Sequence, residues 1–241
     1  HDLECDFGLG NLGMFAPGYS PATPEAQKEL LDRFLCGTLA FGHPGFLALD
    51  YGIPSGAKSY FMVQQIASRY TQTSVKKIGY FDAEGRLLST SDALKADVVK
   101  NNQIYVEYED GTFVVANGSK TTPLVSIPDA NVGGSGLFAL PPNGYFARSG
   151  DGQVVVESMI STDSRERYDY CQSPEYVYLD GRGVWTEAEL ACGAGAGVLR
   201  TINDDEYELI LYDGTSPLDF GVAFPGVVSA VALNYENEEI G

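Results

Sequence analysis

The chain reads as a mostly β protein, an antiparallel β-sandwich preceded by a short α/β segment. Three observations carry this. From about residue 75 to 190, short runs of β-branched and aromatic residues alternate with Asp-Gly and Asn-Gly turns, the strongest short-range hairpin signal. An aromatic share of 12% and 28 glycines suit strands and tight turns rather than helices. Before that region, two stretches carry apolar residues at helical spacing.

The first segment, residues 1–54, opens with His1-Asp2-Leu3-Glu4-Cys5-Asp6-Phe7, read as a strand ending in acids before a Gly-rich loop. Such an interior-type opening suggests a chain whose front half lies elsewhere. Thr23 is placed to cap a helix, with Pro24 at its first position and Glu25 in its first turn. Leu30, Leu31, Phe34, Leu35 and Leu39 then form one apolar face. The segment from Ala40 to Leu47 is apolar but broken by Gly and Pro. A strand, a helix and a second short strand in that order resemble the closing turn of an α/β unit.

Residues 55–190 are expected to hold one helix and the sandwich. The helix opens near Ser55 or Ser59 and runs to Tyr70, with Phe61, Val63, Ile66, Ala67 and Tyr70 facing a sheet. The turns Asp82-Ala83-Glu84-Gly85, Asp110-Gly111, Asn117-Gly118, Pro141 to Gly144, Asp151-Gly152 and Asp180-Gly181 separate the strands, and Ser91 to Leu94 makes one helical turn. Residues 191–241 form a small β module or further sandwich strands. The run Cys192-Gly193-Ala194-Gly195-Ala196-Gly197 reads as a linker before them.

A formal net charge of -18 repels phosphate backbones and anionic lipid, so neither nucleic acid nor a membrane surface suits this chain as a partner. It fits an extracellular or salt-tolerant protein, or one attracting a cationic ligand. No apolar run approaches the ~20 residues of a membrane span. Cys5, Cys36, Cys171 and Cys192 contain no CxxC pair, which disfavours zinc. Cys171 with Cys192 is the more plausible disulfide, and isolated buried thiols are the equal alternative. Asn117-Gly118-Ser119 matches a glycosylation acceptor, though an Asn-Gly turn accounts for it without a glycan. Tyr168, Tyr170, Tyr176, Tyr178 and Trp185 form an aromatic-rich stretch, either a sugar-stacking platform or sandwich core. No phosphate loop, nucleophile elbow or metalloprotease motif is present, and no cofactor or metal is expected.

Asp2, Glu4 and Asp6 alternate along one strand and share a face. Three carboxylates on one side suit water, a cation or a substrate. His43 lies in a Gly-His-Pro-Gly turn where backbone comes close to a ligand.

The ordered set Asp2-Leu3-Glu4, Ala40 to Phe46, Tyr60 to Gln65 with Arg69-Tyr70, Ile78-Gly79-Tyr80, Leu87 to Leu94, Ile104-Tyr105-Val106, Leu140 to Tyr145 and Ser173 to Gly183 resembles the C-terminal portion of large bacterial glycoside hydrolases, over roughly residues 1 to 185. The resemblance implies the end of a TIM-type barrel followed by β-sandwich modules, in a protein secreted, periplasmic or held at the cell surface. It implies Glu4 and Asp2 as catalytic acids, with Asp6, His43 and Tyr51 binding substrate. The partners it implies are an oligo- or polysaccharide and an upstream barrel domain of the same protein. Cys5 and the Gly/Ala run near residue 195 depart from that family. The reading from another class is a non-catalytic carbohydrate-binding or structural sandwich. An oligomer-forming surface module stands third.

Overall fold

The computed structural model describes residues 8–9, 23–125, 139–203, 206–212 and 216–220. Thr23 caps the first helix as expected: its hydroxyl accepts a hydrogen bond from the Ala26 amide at 3.2 Å, and α1 runs Pro24–Ala40. Leu30, Leu31, Phe34, Leu35 and Leu39 are all buried, the stripe read from their spacing. On either side of α1 lie β1 (Gly8–Leu9) and β2 (Phe46–Leu47), which pair in parallel, Gly8 with Phe46 and Leu9 with Leu47. A β–α–β order is therefore present, although the strand expected over residues 1–7 lies outside the described residues. Gly8 and Leu9, expected to begin the loop, are strand.

The second helix, α2 (Ile53–Tyr70), starts earlier than the expected Ser55 or Ser59. Gly52 supplies the entry at φ 91°, and no side chain caps the helix. Ser59 is instead interior, where its hydroxyl accepts from the Ala48 amide at 2.9 Å and donates to the Gly56 carbonyl at 2.7 Å. That bond fixes the chain after β2 against the helix. Phe61, Val63, Ile66, Ala67 and Tyr70 are buried, as their spacing implied.

The main body is β. Its strands are β3 (Val75–Phe81), β4 (Leu87–Ser89), then, after the one-turn helix α3 (Thr90–Lys95), β5 (Gln103–Tyr108) and β6 (Phe113–Asn117). A short pair, β7 (Leu124–Val125) and β8 (Ala139–Leu140), precedes β9 (Tyr145–Arg148), β10 (Val155–Ile160), β11 (Arg167–Gln172) and β12 (Tyr176–Asp180). β13 (Thr186–Glu187), β14 (Cys192–Gly193), β15 (Ala196–Asn203), β16 (Glu206–Leu211) and β17 (Leu218–Asp219) complete the described chain. Ten of these form one antiparallel sheet in the order β16-β15-β12-β11-β10-β9-β6-β5-β3-β4. The mostly antiparallel β fold expected from the turns is the fold observed, and it is layered in a sandwich-like way. One face carries α1 and α2. The opposite face carries the β7–β8 pair and the three-stranded sheet β13-β14-β17.

Strand alternation explains both layers, because successive side chains leave opposite faces. Ile104, Val106, Val114, Ala116, Tyr145, Ala147, Val156, Cys171, Tyr176, Tyr178 and Val198 join the helices in one cluster. Their neighbours Tyr105, Phe113 and Val115 meet Leu124 and Leu140 beneath the short pair. Tyr168, Tyr170, Val177 and Leu179 meet Ala191 and Phe220 beneath the small sheet. Phe61 of α2 lies edge-on to Tyr176 and stacks on Tyr178, with centroids 4.8 and 5.6 Å away.

The turns behave as their side chains dictate, with one exception. Asp82 Oδ1 accepts from the Glu84 and Arg86 amides, and Asp110 Oδ1 accepts from the Thr112 amide, closing two hairpins. Asn117-Gly118, expected as a hairpin turn, is not one. Asn117 is fully buried, with its amide nitrogen within 3.0 Å of the carbonyls of Thr122, Leu140 and Pro141. A residue so enclosed is no glycan acceptor.

The Gly/Ala run is not a loose linker. Gly181 and Gly183 donate backbone bonds to Gly195 and Ala194, and β15 pairs with β12 and with β16, so these two strands extend the main sheet. Glycine is needed there: a Cβ on Gly195 would stand 2.9 Å from the Ser216 carbonyl.

Among the described glycines the closest backbone approach is at Gly150, where a Cβ would lie 1.9 Å from the Asp110 carbonyl. Gly150→Ala must push two hairpin turns apart, and overpacking of this kind is expected to lower the unfolding free energy by about 2 kcal/mol. Urea denaturation reads this directly, and an unchanged midpoint would contradict the contact.

Candidate functional site

The most concentrated chemistry among the described residues is a buried set of charges between the helices and the sheet. It begins with a conflict in register. Asp169 of β11 and Asp180 of β12 are direct cross-strand partners, and both lie on the helix-facing side of the sheet. Like charges placed opposite one another destabilise a sheet, and Asp169 is fully buried.

Two cations resolve the conflict. Lys58 reaches down from α2, its Nζ 2.5 Å from Asp169 Oδ2 and 3.9 Å from Asp180 Oδ2. Arg182, two residues beyond β12, turns back with φ 54°, in the left-handed region that a non-glycine residue seldom occupies. Its amide donates to Asp180 Oδ1 at 2.9 Å, and its Nε donates to Asp169 Oδ2 at 2.6 Å. The same guanidinium grips Asp32 of α1 through both Nη atoms, at 2.9 and 2.6 Å. Lys58 also donates to Asp32 at 3.2 Å.

A second arginine closes the set. Arg167 of β11 donates to Ser158 Oγ from Nε and Nη2, to the carbonyls of Pro142 and Asn143, and pairs with Asp32 Oδ2 at 3.1 Å. The Ser158 hydroxyl in turn donates to Asp169 Oδ1 at 2.5 Å. Three acids and three bases thus satisfy one another across α1, α2, β10, β11, β12 and the turn before β9.

Burial pushes both the Asp32 and Asp169 carboxyls up, but the surrounding cations overcome it and hold each below the usual carboxylate range. For Asp32 the opposing charges are Lys58, Arg167 and Arg182; for Asp169 they are Arg182, Lys58 and Arg167. Asp180 moves the other way, raised by burial more than Lys58 lowers it, with the Asp169 charge adding to the rise. Outside the network, an open cleft of about 450 Å³ lies over Asp32, Arg167 and Arg182, rimmed by Glu25, Lys28, Glu29 and Lys120.

The residues singled out in the sequence lie elsewhere. Asp2, Glu4 and Asp6 fall outside the described residues. His43 sits in the turn after α1, where its amide donates to the Thr38 carbonyl and its own carbonyl accepts from the Tyr70 hydroxyl at 2.5 Å. Tyr51 lies in the 3-10 turn Leu49–Tyr51, where its carbonyl accepts from Ser55. Ser55 and Tyr70 mark opposite ends of α2, a helix of 18 residues and hence about 27 Å long. His43 thus lies against the Tyr70 end of α2 and Tyr51 against its Ser55 end.

The aromatic stretch divides between the two faces. Tyr168, Tyr170, Tyr176 and Tyr178 are buried, and Trp185 alone is exposed, at 47%. The Cys171–Cys192 bridge is not formed; Cys36, Cys171 and Cys192 are free thiols. The reason is the pleat: Cys171 points into the helix-side cluster, whereas Cys192 belongs to the small sheet on the other face. Burial pushes the Cys36 and Cys171 thiols up to about 12, which leaves them inert. Among the described residues no group of His, Cys, Asp or Glu is arranged to hold a metal, and no helix is long and apolar enough to cross a membrane. No protein family, curated protein or solved structure matches the chain.

Removing one charge strands the others. Asp169→Asn is expected to cost about 3 kcal/mol at neutral pH, the scale for breaking one partner of a buried pair. Because the folded-state values of Asp32 and Asp169 are depressed, the stability they confer is complete above the ordinary carboxylate range. It is lost as pH falls below about 4 toward the folded-state values. Asp180, being raised, contributes in the opposite sense and loses its contribution as pH rises. Urea melts between neutral and acid pH should show a shallower acid loss in Asp169→Asn than in the parent; equal slopes would contradict the assignment.

Proposed function

We propose that this chain is the non-catalytic supporting part of a secreted carbohydrate-active enzyme of the glycoside hydrolase type. In this reading the ten-stranded sheet holds an α/β element against which a catalytic domain is built. The single observation that carries it is the charge network, in which α1 and α2 are locked to the sheet by acids and bases that engage one another. Catalytic carboxylates work in pairs across a scissile bond and need room for a sugar between them. Asp32 and Asp169 instead share the Lys58 ammonium and the Arg182 guanidinium, which is the chemistry of a clamp.

Two further features support the reading. Parallel strands are stable only inside covered α/β sheets, and a two-stranded parallel pair with its crossover helix, β1–α1–β2, is the kind of element a larger sheet would extend. Burial of four of the five aromatics speaks against a stacking platform and favours support over sugar capture. The carbohydrate setting rests on the resemblance described above.

The purified chain is expected to release no aryl alcohol from a panel of aryl glycosides. Turnover by the chain alone, abolished by Glu4→Gln, would overturn the supporting role and restore Glu4 as a catalytic acid.

A further inference from the structure

The cleft above the network shares Asp32, Arg167 and Arg182 with the clamp and adds Glu25, Lys28, Glu29 and Lys120 at its rim. In a chain of net charge -18 with 15 Lys and Arg residues, four basic side chains, Lys28, Lys120, Arg167 and Arg182, line this one cleft, and Lys58 lies directly beneath. A third of the chain's cations gather at one place on a strongly acidic protein.

Their states differ. Arg167 makes four hydrogen bonds, to Ser158 and to the Pro142 and Asn143 carbonyls, and an ion pair with Asp32. Arg182 commits three of its five to Asp169 and Asp32. Among the described residues nothing takes up the other two donors of this guanidinium, whose plane is fixed on two sides by carboxylates. Lys28 and Lys120 on the rim are exposed and form no ion pair with a described residue. A guanidinium held in place by carboxylates, in one cleft with two exposed ammonium groups, is an arrangement that can receive a carboxylate. The rim also carries Glu25 and Glu29, which accept hydrogen bonds from hydroxyls and repel a bare anion. The volume of about 450 Å³ suits a ligand of sugar size.

We propose that this cleft binds an acidic sugar, with its carboxylate at Arg182 between Lys28 and Lys120 and its hydroxyls toward Glu25 and Glu29. The carboxylate follows from the cations; the choice of a sugar rests on the carbohydrate reading of the chain.

The test is a two-dimensional amide NMR titration of the whole chain with D-glucuronate, D-glucose and citrate at matched ionic strength. Glucuronate is expected to give saturable shifts at the amides of Asn143 and Arg182, with glucose silent and citrate weaker. Lys28→Ala/Lys120→Ala, which removes two exposed charges and leaves the thermal melt unchanged, should weaken glucuronate binding about tenfold. An unaltered affinity in that variant, or no saturable shifts with glucuronate, overturns the site. Glucose shifts equal to those of glucuronate, or citrate binding as tightly, overturn the sugar acid while leaving the hydrolysis assay to judge the supporting role separately.

Discussion

Two aspartates set face to face across adjacent strands, on the helix-covered side of the sheet, are the constraint around which this protein is organised. Asp169 and Asp180 cannot share that position as bare carboxylates. Each needs a cation, and the cations come from different elements: Lys58 from α2 and Arg182 from the segment beyond β12. Arg182 then has a face left over for Asp32, which draws in α1. Electrostatic necessity in one strand pair thereby dictates where two helices sit. An apolar core would hold the helices with less specificity in rotation and slide, because hydrophobic burial is non-directional. The network does not add much net stability over well-packed hydrophobes; its contribution is registration.

Around that point the rest follows from alternation. A ten-stranded sheet with aromatic and β-branched residues on both faces must be covered twice. The helices cover one side, while the β7–β8 pair and the sheet β13-β14-β17 cover the other. Asn117 holds the second cover in place by bonding the carbonyls of Thr122, Leu140 and Pro141 from inside the main sheet. The result is a sheet covered on both faces, with its helical layer fixed in position.

Much of this was legible in the sequence. Thr23-Pro24-Glu25 announced a helix start, the Leu and Phe spacing gave its buried face, and the Asp-Gly turns marked the hairpins. Local rules sufficed where the structure is local. The network was not legible because its members lie at positions 32, 58, 167, 169, 180 and 182, brought together only by tertiary packing. A faint signal existed. Asp169 shares its strand face with Cys171, and Asp32 sits among Leu30, Leu31, Phe34 and Leu35, so each is a charge in an apolar register. Asp180-Gly181-Arg182 read only as a turn, and its positive-φ arginine had no sequence signature. Asn117-Gly118 and the Gly/Ala run misled for one reason: residues that permit turns and flexibility also permit close packing, and neighbours far away in the chain decide which.

The central claim is that the charge network makes helices and sheet a single cooperative unit. Native-state hydrogen exchange tests it most directly. The slowest amides of α1, α2 and strands β10 to β12 should exchange with one common opening free energy, equal to that of global unfolding. If α1 and α2 open together at a distinctly lower free energy while the strands stay protected, the helices are merely laid on the sheet, and the clamp does not couple them to it.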